Sequence, residues 1–122
     1  MRSVRLERIN SELQKVINYI IDQELRDPQI DAMISVTNVD TTPDLAYARV
    51  YISSIGKTPT DEVVARIKGA GGFIRGEVSK KIKLRITPRL EFIKDSSLEY
   101  GNKIDDILKT IKYSTEEDNN ND

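Results

Sequence analysis

Apolar residues return every three or four positions through Leu6, Ile9, Leu13, Val16, Ile17, Ile20 and Ile21, which predicts one long amphipathic helix from about Ser3 to Arg26. Asp27-Pro28 ends it, because proline pushes the preceding residue out of the α region. Two stretches rich in β-branched and aromatic residues follow, Met33–Val39 and Ala46–Ser53, with Ala48, Val50 and Ile52 on one face of the second. Thr41-Thr-Pro-Asp44 between them supplies turn chemistry, so the pair reads as an antiparallel hairpin. Ile55–Pro59 reads as a loop and Thr60 as the N-cap of a helix, with Asp61 and Glu62 in its first turn. Val63, Val64 and Ile67 carry that helix into Gly69-Ala-Gly-Gly72, and the pattern resumes with Phe73, Ile74, Val78 and Ile82 as far as Lys83. Each glycine is about 1 kcal/mol worse than alanine inside a helix, so a break or sharp kink joining two short helices is expected there. Beyond Thr87-Pro88, Leu90 and Phe92 alternate with Glu91 and Ile93 in a third strand. Ser96 and Glu99 have capping-box spacing ahead of Ile104, Ile107, Leu108 and Ile111, the stripe of a last helix. The order predicts an α+β fold, with helices packed on one face of a three-stranded sheet. The long crossover between the second and third strands permits their parallel pairing.

Composition narrows the chemistry. The chain has 122 residues, 38% apolar and 32% charged, which fits one domain with a modest core. That domain is expected over residues 1–113. Residues 114–122 hold four acids, no base and three consecutive asparagines, and read as a disordered acidic tail. Cysteine and histidine are both absent, which excludes disulfides and thiol nucleophiles and removes the commonest general base and metal ligand. Asp105 and Asp106 point in different directions on a helix, while Asp40 with Asp44 and Glu91 with Asp95 read as turn and strand-flanking charges. A non-catalytic protein without metal or cofactor is the expectation. No targeting segment or membrane span is evident, so a soluble cytoplasmic protein is expected, and a charged surface without apolar excess suggests a monomer.

Charge is distributed unevenly. From Arg66 to Lys94, nine cations against two anions leave a net +7, and the remaining ten cations and eighteen anions leave the rest at −8. Such asymmetry points to a polyanion, with a lysine-rich solvated helix face as the competing explanation. Glycines at the kink let a phosphate backbone approach without an intervening Cβ, and the second helix starts there with its amide N–H groups facing outward. Candidate RNA-contacting residues are therefore Arg66, Lys68, Ala70, Gly71, Gly72, Arg75, Lys80, Lys81, Lys83 and Arg85. Arg2, Arg5 and Arg8, three residues apart on the first helix, form a weaker second basic element. Partners for Glu7, Glu12 or the acidic tail are the alternative for each of them. Tyr47 and Tyr51 flank Arg49 on the outward face of the second strand, for base stacking or for cross-strand packing.

Six stretches together resemble the ribosome-binding factor A family: Glu24-Leu-Arg-Asp-Pro28, Val36-Thr-Asn-Val39, Pro43-Asp-Leu-Ala-Tyr-Ala-Arg-Val-Tyr51, Ala70-Gly-Gly-Phe-Ile-Arg75, Leu84-Arg-Ile-Thr-Pro-Arg-Leu-Glu-Phe92 and Asp95-Ser-Ser-Leu-Glu-Tyr-Gly101. They span nearly the whole chain up to Lys112, in order. The resemblance implies a type II KH-like single domain in which an Ala-x-Gly kink, here Ala70-Gly71-Gly72, stands in for the RNA-clamping Gly-x-x-Gly loop. It also implies a ribosome assembly factor that binds 16S rRNA in the immature 30S subunit and assists late maturation and 5′-end processing. Members matter most in the cold and leave with help from an assembly GTPase or competing factors. Gly69 and Gly76 depart from the family pattern. A protein-interaction module docking on ribosomal proteins or an assembly GTPase is the alternative, motivated by the acidic face and tail.

Overall fold

A computed structural model describes residues 3–25 and 27–96. Helix α1 (Val4–Tyr19) begins at Ser3, whose hydroxyl accepts the Leu6 N–H at 3.0 Å. It does not continue to residue 26 as a uniform α-helix. Ile20–Glu24 widens into a π-helical turn, closed by the Leu25 N–H on the Ile20 carbonyl at 2.8 Å, with Ile20 and Ile21 both buried.

Strand β1 (Ala32–Thr41) pairs antiparallel with β2 (Tyr47–Gly56). Their register shifts between Val36 and Asn38, so Thr37 is the extra residue of a bulge. Helices α2 (Thr60–Gly69) and α3 (Gly71–Lys81) then cross over to β3 (Arg89–Lys94), which pairs parallel with β2. The sheet order is β1-β2-β3. Val36, Val39, Ala48, Val50, Ile52 and Phe92 from the sheet meet Ile9, Leu13 and Ile17 of α1, Val63, Val64 and Ile67 of α2, and Ile74 and Val78 of α3 in one core.

Strand β1 lies at the sheet edge, where unpaired backbone groups would face solvent. Three amide side chains on α1, four residues apart, bond some of them. Asn10 Oδ1 accepts the Thr41 N–H at 2.9 Å, and Asn18 Oδ1 accepts the Val36 N–H at 2.9 Å. Asn18 and Gln14 each donate to the Val36 carbonyl at 3.2 Å. The helix thus hydrogen-bonds the sheet edge where a fourth strand would otherwise fit.

Several expectations need correction. Thr60 is the first residue of α2 rather than its cap. Pro59 holds the cap position, and the Thr60 hydroxyl instead bonds Ser54 at 2.8 Å. Strand β2 runs through Ile55 and Gly56, and α3 stops two residues before Lys83. Phe73, placed in the apolar stripe by its neighbours, is half-exposed, because Ile74 and Val78 define the buried face of α3 and Phe73 sits about 100° from Ile74. The expected last helix over Ile104–Ile111, the acidic tail at 114–122 and Arg2 lie outside the described residues.

Candidate nucleic-acid interface

The break between α2 and α3 falls at Ala70, whose backbone leaves the helical region at φ −98° and ψ 12°. Ala70 closes α2 through its N–H on the Ile67 and Lys68 carbonyls, and its own carbonyl accepts the Ile74 N–H at 3.0 Å to open α3. No side chain caps the first turn of α3. Its first-turn amides are therefore left without a side-chain acceptor at the kink.

The glycines around the break do not serve internal packing. A Cβ added at Gly69, Gly72 or Gly76 would meet nothing within 4 Å, and one at Gly71 would make only ordinary contact with the Phe92 ring at 3.7 Å. Gly72, Gly76 and Ser79 share the outward side of α3, opposite Ile74 and Val78, so that side presents nearly bare backbone. Exposed Phe73 and Lys80 border it. Phe73 was missed by sequence periodicity, although an aromatic one residue before the buried Ile74 at a glycine break is the signal that finds it.

The candidate cations divide into two groups. Arg75 donates from Nε to the Pro88 carbonyl at 3.1 Å and from a terminal nitrogen to the Thr87 carbonyl at 2.7 Å, pinning the loop that feeds β3. Arg66 reaches Asp27 at 3.3 Å and Glu62 at 3.5 Å, and also bonds Gln29, tying α2 to the segment before β1. Lys81 sits between Glu24 at 2.9 Å and Glu77 at 3.5 Å, with its ammonium 5.7 Å from the centre of the Tyr19 ring. The hydrogen bond to Glu24, chiefly, holds the Lys81 ammonium above its ordinary pKa, while Lys80 most strongly holds the Glu77 carboxyl below its own. These three cations are bound into the fold.

Lys68, Lys83, Arg85, Arg5 and Arg8 are exposed, and among the described residues no ion pair engages them. Lys80 pairs with Glu77 at 3.2 Å but its side chain remains 72% exposed, and such a surface pair is weak. Arg5 and Arg85, eighty positions apart in sequence, line one groove between α1 and the loop after α3. On the outward side of the sheet, Arg49 faces Glu91 at 3.8 Å and Tyr47 is exposed. Among the described residues, no group of three acidic side chains could hold a metal ion, and no helix is long and apolar enough to cross a membrane.

A three-stranded mixed sheet, helices on one face and a broken helix pair in the crossover define a KH-like α+β domain. A family model for ribosome-binding factor A matches residues 5–108. The chain is 46% identical over 120 residues to ribosome-binding factor A of Clostridium tetani, covering 98% of this chain and 99% of that one. It belongs to the ribosome-binding factor A family. Among solved structures, a candidate ribosome binding factor A of Thermotoga maritima superposes with a TM-score of 0.65 at 30% identity, over 80% of this chain and 92% of that one. A homology model of the Thermus thermophilus ribosome binding factor A, fitted into the electron-microscopy map of a complex with the 30S subunit, shares the fold at a TM-score of 0.60 and 21% identity, over 71% of this chain and 91% of that one.

Proposed function

We propose that this protein is a non-catalytic assembly factor that binds 16S rRNA in the immature 30S subunit through the outward face of α2, Ala70 and α3. One observation carries the reading: the glycine positions 69, 72 and 76 are open where a side chain would stand, beside exposed cations. A phosphate backbone can approach the bare helix, meet the uncapped amides at the start of α3 and be neutralised by Lys68, Lys80 and Lys83. Arg5, Arg8 and Arg85 extend the cationic surface, and Phe73 offers a ring for one unpaired base. Arg66, Arg75 and Lys81 act one step back, by holding the helices in place. The Thermus relative's complex with the 30S subunit supports the choice of partner. Assistance to late maturation and 5′-end formation, release aided by an assembly GTPase, a monomeric state and a cytoplasmic setting complete the proposal. So does a folded domain over residues 1–113 followed by an acidic tail.

A second contact, with protein, is favoured by one feature. Met33 and Ile55 face each other across β1 and β2 at 81% and 76% exposure, an apolar pair distant in sequence from the glycine face.

The test is the salt dependence of binding to immature 30S subunits. Replacing Lys68, Lys80 and Lys83 with alanine should weaken binding and lower the slope of log Kd against log salt by about one unit per lost contact. A triple variant that binds like the parent at every salt concentration would contradict the assignment.

A further inference from the structure

A groove of about 520 Å³ lies between the first turn of α1, the β1–β2 turn and the loop after α3. Its size falls within the range of small-molecule sites. Leu6, Ile9 and Leu45 give it an apolar floor and Ile86 an apolar wall that is itself half-exposed. Arg5 and Arg85 also line it, and among the described residues neither has a carboxylate partner.

The turn that builds one side is held in a conformation that L-residues seldom adopt. Leu45 has φ +62°, a left-handed geometry that is disfavoured for a non-glycine residue. Its N–H bonds the Thr42 carbonyl at 2.8 Å, while Asp44 Oδ1 accepts the Ala46 N–H at 3.0 Å and the Thr42 hydroxyl at 2.7 Å. Those bonds fix the strained residue, and its leucine side chain lines the groove. The second oxygen of Asp44, on the same lining, remains an acceptor.

We propose that this groove takes one unstacked nucleotide of a single-stranded RNA segment, its base against Leu6, Leu45 and Ile86 and its phosphates on Arg5 and Arg85. An apolar floor beside two guanidiniums that have no carboxylate partner among the described residues calls for a ligand that is flat and apolar on one side and anionic on the other, which describes a nucleotide. Free guanidiniums also stack on base planes. The Asp44 carboxylate accepts hydrogen bonds only, so a base with an exocyclic amine (adenine, cytosine or guanine) is favoured over uracil, whose single N3–H donor is flanked by two carbonyl oxygens that repel a carboxylate. The site rests on the rRNA-binding reading above and adds to it a place where an unpaired nucleotide is held.

The experiment is a titration of the full-length, isotope-labelled protein with short single-stranded oligoribonucleotides, followed residue by residue in amide NMR spectra. Oligo(A) or oligo(C) should shift the amides of Arg5, Leu6, Leu45 and Ile86, with oligo(U) weaker by at least severalfold. Ile86→Asp should weaken those shifts at least tenfold, and so should the Arg5→Ala, Arg85→Ala pair, whose surface substitutions leave the core untouched. Shifts confined to residues 68–83, equal affinity for oligo(U), or an acidic peptide that occupies the groove as tightly as RNA would overturn the proposal. Shifts at the groove that persist in the Lys68, Lys80 and Lys83 triple variant would support it. Subunit binding by that triple variant reports separately on the glycine face, so failure of either reading is recognisable alone.

Discussion

Gly56 and Gly72 both lie at the surface, yet a methyl group would have opposite effects on them. Gly56 has φ +156°, and a Cβ there would lie 2.4 Å from the Ala32 Cα and 2.5 Å from the Asp31 carbonyl oxygen. Gly56→Ala is therefore expected to destabilise by about 2 kcal/mol or more, read from the denaturant midpoint. Gly72→Ala and Gly76→Ala meet open space within a helix, so each should raise stability by about 0.5–1 kcal/mol. If rRNA packs on the bare backbone, Gly72→Ala should at the same time weaken subunit binding severalfold. A gain in both stability and affinity would refute the close approach. Charged residues separate in the same way. The Asp44 carboxyl is held below its ordinary pKa, first by the Thr42 hydroxyl and then by the Ala46 N–H, and Glu77 is lowered chiefly by Lys80. A depressed carboxyl stabilises the fold fully above its unfolded value and loses that contribution as pH falls through the folded one, so the loss begins below about pH 4. Asp44→Asn should flatten the acid limb of the stability–pH curve and leave the neutral range little changed in slope. Lys81 has the reverse sign: its raised pKa contributes below the ordinary lysine value, near 10.4, and fades only at more alkaline pH.

Apolar spacing found the described α-helices and strands, because period 3.6 and period 2 follow directly from which face must be buried. Polar positions were less legible. Asn10, Gln14 and Asn18 look like the solvated side of α1, since nothing local distinguishes an amide that meets water from one that meets a strand edge 18 to 31 residues away. Asn18→Leu is expected to cost about 1–3 kcal/mol, because it leaves the Val36 N–H without its partner at the sheet edge. A variant as stable as the parent in thermal unfolding would show that water replaces the amide fully. The same limit applies to Thr60. Its sequence context fits a cap, but the hydroxyl finds Ser54 on β2, and proline takes the boundary. The π-helical turn at Ile20–Glu24 left no periodic signal, since five residues are too few to shift the phase of an apolar stripe.

Across the molecule, charge asymmetry marks a basic stretch of sequence but cannot sort its cations. Arg66, Arg75 and Lys81 share the segment with Lys68 and Lys83, yet ion pairs to Asp27 and Glu24 and carbonyls of Thr87 and Pro88 engage them. Those partners lie up to 57 positions away, counting from Glu24 to Lys81, beyond the reach of any local pattern. The break at Ala70 was legible because glycine acts locally on the backbone; the openness of the glycine face was not, because it depends on what the rest of the chain leaves uncovered. The most direct measurement places a photocrosslinking side chain at position 68, 73 or 83, and separately at Met33, in the full chain bound to immature 30S subunits. The account predicts links to 16S rRNA from the first three positions. Links from those three to ribosomal protein alone, with rRNA reached only from Met33, would contradict it.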